Sequence, residues 1–473
     1  MAQEKFDALA NLHAERIFYF VSTEKNAFTR HDFGPDFVWG AATAAYQIEG
    51  AHDVDGRGPS IWDTFTHNRR RWRNADTGDV ACDFYHRYEA DLVLLKSLGF
   101  DAFRFSLSWS RILPEGTGRV NEKGLAFYDR VIDTCLRLGL QPWVTLYHWD
   151  LPQALETKGG WTNRSVVRWF SEYVDLCTKA FGSKVKHWMV LNEPLVFTGG
   201  GHFAGIHAPG RRGMWNFLPA VHHAVLCQGE GGRIVRRNVP DARIGTTLFC
   251  APVDAWTPAP RDLRAAARAD AIGNRLFIEP SLGMGYPVKE APFLEQIYKK
   301  YARLGDLERA AFDFDFIGLQ NYFRLVMEHN WFTPYVWARE VTPKRRRVRP
   351  LTDMGWEMYP EGIYRIIKQF SQYKKIRQII ITENGAAFPD RLHEGEVNDP
   401  LRVHFYQEYL RQVLRARQEG FNVGGYFAWS LLDNFEWAEG YKPRFGLIYV
   451  DYQTQERIVK QSGRWFRDLL TAG

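Results

Sequence analysis

From Phe37 onward, short runs rich in apolar, β-branched and aromatic residues alternate with longer stretches whose apolar positions recur at helical spacing. The runs cover residues 37–42, 102–109, 142–147, 187–192, 242–248, 314–319, 376–382 and 423–429. Helical patterns fall between them, among them 85–98, 122–138, 165–181 and 404–418. Two of these stop at Gly99 and Gly139, where glycine takes the left-handed turn that ends a helix. A run that is apolar throughout, rather than every second residue, reads as a strand buried on both faces. Parallel sheets flanked by helices produce such strands. Eight strand–helix units in succession therefore predict an α/β fold, a (β/α)8 TIM barrel. Residues 34–473 are expected to form this one domain, with long loop insertions on its catalytic face. Residues 1–33 precede the pattern as an N-terminal extension of unclear order.

Two places break the regular pattern. Gly229, Gly231 and Gly232 fall where a helix is expected, each costing up to about 1 kcal/mol against Ala, so local fraying is expected there. After the sixth strand, residues 331–350 read as a long proline-punctuated loop carrying Lys344, Arg345, Arg346, Arg347 and Arg349. Loops that follow barrel strands lie on the catalytic face, so this one is expected to rim the site.

The chemistry gathers at the strand ends. Val190-Leu191-Asn192-Glu193-Pro194 and Ile381-Thr382-Glu383-Asn384-Gly385 are apolar runs that close on a glutamate and are then halted by Pro or Gly. A buried strand of this kind delivers a carboxylate to the barrel rim. Two carboxylates flanking one bond are what glycosidic cleavage needs. The other strand ends carry Gln47, Arg104, His148-Trp149, Gln320-Asn321-Tyr322 and Trp429, with Glu436-Trp437 just beyond the last. Sugar rings have apolar C–H faces that pack on indole, so tryptophans at strand ends fit a carbohydrate cleft.

In spelling and in order these motifs resemble those of glycoside hydrolase family 1, the β-glucosidase family, and the likeness runs from Phe37 to the C-terminus. It implies that Glu193 is the general acid/base and Glu383 the nucleophile. Arg104 and Tyr322 would orient Glu383 and keep it ionised. Gln47, His148, Asn192, Glu436 and Trp437 would hydrogen-bond the sugar hydroxyls over a Trp429 floor. Trp356, in Met354-Gly355-Trp356-Glu357, would support the leaving group. One departure is visible: many members have Asn-Tyr-Tyr where this chain has Gln320-Asn321-Tyr322, which keeps the second tyrosine and places Gln320 on the sugar side. The resemblance further implies a retaining, exo-acting β-glycosidase, principally a β-glucosidase, with β-galactosides and β-fucosides as further substrates. Its partner would be a small-molecule β-glycoside or short oligosaccharide.

Composition narrows the alternatives. The net charge of +6 comes largely from the 344–349 run, and no nucleic-acid module accompanies it. Five cysteines form no C-x-x-C pair, which suggests reduced thiols in a cytoplasmic protein. No secretion signal is read at the N-terminus, and no stretch approaches a membrane span. His222-His223, His202 and His207 lack carboxylate or cysteine partners at ligand spacing, and the glycine runs match no phosphate-binding loop. No metal, cofactor, nucleic acid or membrane is therefore expected. A 6-phospho-β-glycosidase is the rival enzyme reading. Phospho-specific relatives carry a small residue at the position of Glu436, whose carboxylate would repel phosphate. A non-catalytic sugar-binding relative would have lost one of the two glutamates, and both are present.

Overall fold

A computed structural model describes residues 28–68 and 75–471. Eight strands close into a barrel: β1 (Val38–Ala42), β2 (Ala102–Ser106), β3 (Gln141–Tyr147), β4 (His187–Asn192), β5 (Arg243–Phe249), β6 (Phe316–Gln320), β7 (Ile379–Asn384) and β8 (Val423–Trp429). Each is parallel to both neighbours, and β1 pairs with β8 to complete the ring. Almost every strand residue is buried, as continuous apolar runs require. Around the barrel run α1 (Phe84–Ser97), α2 (Glu122–Arg137), α3 (Val166–Phe181), α4 (Met214–Asn238), α5 (Pro260–Asp270), α6 (Glu361–Phe370), α7 (Pro400–Gln418) and α8 (Gln461–Thr471). The expected (β/α)8 architecture is the one observed.

Several strand limits differ from the sequence reading, and three of the shifts have a local reason. β2 stops at Ser106 because the Ser108 N–H is taken by the Tyr128 hydroxyl of α2 at 2.7 Å, and Trp109 opens a short helix instead. β6 starts at Phe316 because the chain is still turning at Phe314, whose N–H bonds to Phe312 O. β7 starts at Ile379 because Ile376 N–H closes a turn onto Tyr373 O.

At the barrel's N-terminal end, Phe33, Phe37 and Trp39 form a ring cluster with centroids 4.8–4.9 Å apart, and Arg30 pairs with Asp101 at 2.8 Å. Residues 28–33, the tail of the expected extension, are thus docked on the body. Residues 1–27 lie outside the described residues. All five cysteines are buried and unpaired. Among the described residues no helix is long and apolar enough to cross a membrane.

The expected fraying at Gly229–Gly232 does not occur, because the three glycines lie in the middle of the 25-residue α4. They are sites of close approach. A Cβ on Gly229 would stand 2.2 Å from Arg309 O, one on Gly231 2.6 Å from Val190 Cγ1, and one on Gly232 2.6 Å from the Phe312 ring. The loss in helix propensity is offset by contact with a neighbouring carbonyl, a barrel strand and an aromatic ring.

This makes Gly229→Ala decisive. Propensity alone would raise stability by about 1 kcal/mol, whereas intrusion on the Arg309 carbonyl should lower it by roughly 1–3 kcal/mol. Urea unfolding reads the sign, and a stabilised variant would contradict the close-packing account.

Candidate active site

Every strand delivers its last residues to the same rim, so side chains far apart in sequence meet there. Arg104 comes from β2, Asn192 and Glu193 from the end of β4, Thr247 from β5, Gln320 from β6 and Glu383 from β7. The Arg104 side chain is fully buried and Glu383 is only 3% exposed. Arg104 Nη1 donates to Glu383 Oε1 at 2.5 Å, and the Tyr322 hydroxyl donates to Glu383 Oε2 at 2.6 Å. Both carboxylate oxygens are thereby held.

A second set of bonds fixes Asn192. Its Oδ1 accepts from Arg104 Nη2 at 2.5 Å, Thr247 Oγ1 at 2.8 Å and Gln320 Nε2 at 2.9 Å. Its amide nitrogen must then donate to His148 Nε2, 3.0 Å away. Burial, reinforced by Arg104, holds His148 well below its ordinary pKa and therefore neutral. With Nε2 accepting, the proton sits on Nδ1, which has no partner among the described residues. The site thus presents an unmet N–H.

Glu193 sits differently. It caps the short helix Pro194–Thr198 in a left-handed conformation (φ 42°), a geometry non-glycine residues adopt at a cost of roughly 1–2 kcal/mol. No described side chain hydrogen-bonds its carboxyl. Burial first, and the charge of Glu383 next, push its pKa well above the ordinary carboxylic range. Burial also raises Glu383, but Arg104 and Tyr322 pull it back down. Of the pair, Glu383 therefore ionises first and Glu193 keeps the proton.

The two carboxyls line one cavity of about 330 Å³. Its walls include His148, Trp149, Tyr322, Trp356, Trp429, Glu436 and Trp437. His148 lies between the Trp429 and Trp437 rings, at centroid distances of 6.2 and 5.9 Å. Trp437 is backed by Trp149 at 4.5 Å and Trp62 at 4.8 Å. Burial, then the charges of Glu383 and Glu439, push Glu436 up to about 8, and its Oε2 has no partner among the described residues. Trp356 stands half-buried against Tyr322 and Phe323, at 5.5 and 4.9 Å. Gly385, directly after the Glu383-Asn384 pair, cannot carry a side chain, because a Cβ would fall 1.7 Å from Trp429 O. That contact locks the exit of β7 to the exit of β8.

The loop bearing Glu436 and Trp437 is anchored by buried charge. Asp433 accepts from Lys460 Nζ at 2.5 Å, from Arg444 Nη1 at 2.7 Å and from Gly446 N at 2.9 Å. Gln47 Nε2 donates to Asn434 Oδ1 at 2.9 Å and to Phe435 O at 2.8 Å, leaving its Oε1 unpartnered.

Of the twelve residues singled out in sequence, Glu193, Glu383, Tyr322, His148, Trp356, Trp429, Glu436 and Trp437 line the cavity. Arg104, Gln47, Asn192 and Gln320 are fully buried and stand behind that lining as its supports. Sequence reasoning missed Thr247, Phe249, Phe445 and His207. The first two lie in the C-terminal half of β5, which holds no charged residue to draw attention, and the last two lie on loops without a motif. The 331–350 segment was expected to rim the site, yet none of its residues lines the cavity. Part of it forms the strand Ala338–Glu340, paired antiparallel with Leu325–His329, while Arg345 and Arg346 are held by Glu328 at 2.5 Å and Glu357 at 2.7 Å. These ion pairs tie the basic run to the hairpin and to the residue that follows Trp356, beside the cavity wall and outside its lining.

The His222-His223 doublet has other partners. His222 contacts Tyr286 Oη and Asp306 Oδ2 at 2.9 Å each, and His223 Nδ1 contacts Trp161 O at 2.8 Å. Among the described residues no three His, Cys, Asp or Glu side chains gather as a metal centre.

Comparison with known proteins agrees with this geometry. The model of Glycosyl hydrolase family 1 matches residues 29–473. A 1,4-beta-D-glucan glucohydrolase of Thermotoga neapolitana is 44% identical over 93% of this chain and 98% of its own length. Beta-glucosidase A of Thermotoga maritima is likewise 44% identical, over 93% and 97%. A solved structure of the family 1 β-glucosidase from Thermotoga maritima, in complex with isofagomine lactam, superposes with a TM-score of 0.88. It is 44% identical, covering 92% of this chain and 98% of that one.

The support given to Glu383 can be tested directly. Tyr322→Phe removes a donor that favours the carboxylate, so the Glu383 pKa should rise. A hydrogen bond to a charged group contributes about 1.5–3 kcal/mol, equivalent to roughly one to two pH units. Carbon NMR of labelled glutamate reads it, and an unmoved or lower titration would refute the assignment.

Proposed function

The chain belongs to glycosyl hydrolase family 1, and from that membership we propose that it is a retaining, exo-acting β-glucosidase removing terminal non-reducing β-D-glucosyl residues. β-Galactosides and β-fucosides are further substrates in this reading, and cellobiose and short oligosaccharides are its natural class. The observation that carries the reading is the unequal support of two carboxyls facing one cavity. Glu383 is held at both oxygens by a cation and a hydroxyl, while Glu193 is buried without such help.

A glucosyl unit stacks on Trp429 and fills the closed end of the cavity beside Glu436 and Trp437. The His148 Nδ1–H and the free oxygens of Glu436 and Gln47 are unmet polar atoms there, complementary to sugar hydroxyls. An end walled by Trp62 and Trp149 behind Trp437 leaves no passage for a further sugar, which supports exo action. The aglycone rests on Trp356. In the first step a Glu383 oxygen attacks the anomeric carbon, the carbon–aglycone bond breaks, and Glu193 gives its proton to the departing oxygen. Esterification removes the Glu383 charge that held the Glu193 proton, so Glu193 can then take a proton from water. That water attacks the anomeric carbon and releases Glu383, giving net retention.

The cavity lining also bears on phosphorylated substrates. Glu193, Glu383, Glu436 and Glu439 face it, and among the described residues no lysine or arginine does. The basic residues that prompted the phospho-glycosidase reading lie elsewhere, two of them tied to Glu328 and Glu357. Plain glycosides are favoured. The five unpaired buried thiols support a reducing, cytoplasmic setting.

Two variants separate the carboxylate roles. Glu383→Ala should lose nearly all turnover of an aryl β-glucoside, and added azide should restore a reaction yielding the α-glucosyl azide. A variant with ordinary turnover and no azide product would remove Glu383 from the nucleophile's role.

General acid catalysis is worth about 10²–10⁴-fold and matters most for a poor leaving group. Glu193→Ala should accordingly lose far more cellobiose hydrolysis than cleavage of a dinitrophenyl glucoside. Equal losses on both substrates would show that Glu193 is not the acid.

A further inference from the structure

Asp150, the residue after Trp149 at the exit of β3, is a buried carboxyl that the reaction does not use. Its side chain is closed to solvent, and neither oxygen meets a donor at hydrogen-bonding geometry among the described residues. A carboxylate so placed would carry a large desolvation cost, so the group is held as the neutral acid. The charged and titratable groups that face it are engaged elsewhere. Arg57 Nη2 pairs with Asp63 at 2.9 Å. Glu49 is held by Arg111 Nε at 2.9 Å and by the Tyr128 hydroxyl at 2.6 Å. The Tyr147 hydroxyl accepts from Trp161 Nε1 at 3.0 Å, and the Tyr173 hydroxyl donates to Leu146 O at 2.9 Å. Burial pushes the Asp150 pKa up to about 8, the Ser108 hydroxyl and Arg57 pulling against it and the charge of Glu49 adding to the rise.

Asp150 also stands at a strained joint of the cavity wall. Trp149 has φ 79°, a conformation that a bulky side chain keeps only where its surroundings impose it. On one side of the joint the Trp149 indole N–H donates to Asn192 O at 2.9 Å. On the other, Ile61 N–H donates to Leu151 O and Gln153 N–H to Pro59 O, both at 2.8 Å. Those bonds fix the segment 57–63, which carries Arg57, Asp63 and Trp62. Trp149 and Trp62 both back Trp437 at the sugar end, and His207 packs on both of them at 5.7 and 5.5 Å. Burial holds His207 down at about 4, so it stays uncharged in neutral and alkaline solution.

We propose that Asp150 is a positioning residue for the sugar end of the cavity: as an uncharged acid it lets Trp149 and Trp62 close behind Trp437, and as a carboxylate it draws Arg57 off Asp63 and loosens that wall. The assignment rests on the β-glucosidase reading for the ligand concerned. Its consequence is a loss of sugar affinity in mildly alkaline solution that is separate from loss of the Glu193 proton.

Asp150→Asn keeps the shape of the neutral acid and cannot ionise, so comparing it with the wild type cancels the titrations of Glu193 and Glu436, which both proteins share. Glucose affinity, read by tryptophan fluorescence, should match in the two proteins in mildly acidic solution. About one pH unit above the Asp150 midpoint it should be about tenfold weaker in the wild type, where roughly a tenth of the molecules keep the neutral acid. Carbon NMR of labelled aspartate locates that midpoint, and the Trp149 indole N–H resonance should move with it. These two readings use the wild type without sugar, so they decide the matter even where the variant does not fold. An Asp150 already ionised in mildly acidic solution, a Trp149 resonance blind to its titration, or equal glucose affinities across the whole range overturns the proposal. A Trp149 resonance that follows Asp150 in a protein that binds no glucose at any pH keeps the joint and discards the β-glucosidase reading.

Discussion

A single arginine at the top of the barrel sets the terms for everything around it. Arg104 is fully buried, and a guanidinium taken out of water must have its donors met or cost several kcal/mol. Its donors go to Glu383 Oε1, Thr382 O, Asn192 Oδ1 and Met189 Sδ, so one side chain from β2 binds groups on β4 and β7. Removing either member of such a pair leaves an uncompensated buried charge, a loss of about 3–5 kcal/mol. The same cation that keeps the barrel top closed makes Glu383 the more acidic of the two catalytic-face glutamates. Stability and reactivity therefore draw on one interaction.

Around that pair the described lining is rich in acids. Four carboxyls line the cavity and, among the described residues, no lysine or arginine does; burial raises Glu193, Glu383 and Glu436, and the charge of Glu383 raises Glu193 and Glu436 further. Arg104 and Tyr322 break this symmetry by hydrogen-bonding both oxygens of Glu383 and neither of Glu193. The result is one carboxylate suited to attack and one proton donor beside it. A neutral His148, its tautomer fixed by Asn192, adds a donor without adding charge. Arg345 and Arg346 place their charge outside the cavity, on Glu328 and Glu357.

Buried ion pairs recur as anchors for the loops that carry the sugar-facing residues. Asp433 is gripped by Lys460 and Arg444 just ahead of Glu436 and Trp437. Arg402 and Lys460 share Asp390, which follows the exit of β7, and so connect the two loops through α7 and the segment before α8. In a loop-built site such anchoring replaces the rigidity that a strand would supply.

The sequence by itself determined the eight strand–helix units, the strands that end in Glu193 and Glu383, and most of the residues facing the cavity. These are legible because burial on both faces demands an uninterrupted apolar run, and a carboxylate or tryptophan at its end stands out against it. The tertiary structure alone decided the rest. Gly229, Gly231 and Gly232 read as helix weakness because the Arg309 carbonyl, Val190 and Phe312 that they admit lie far away in sequence. Asn192, Gln47 and Gln320 read as sugar contacts, and only the packed rim shows the hydrogen bonds that also tie them to Arg104, Asn434 and one another. Thr247 carries no signal at all until Asn192 is placed against it. The basic run was expected to rim the site, and Glu328 and Glu357 hold two of its arginines outside the cavity lining. Local periodicity records what each segment must bury, whereas hydrogen-bond partners and close contacts are set by which strand ends meet once the barrel closes.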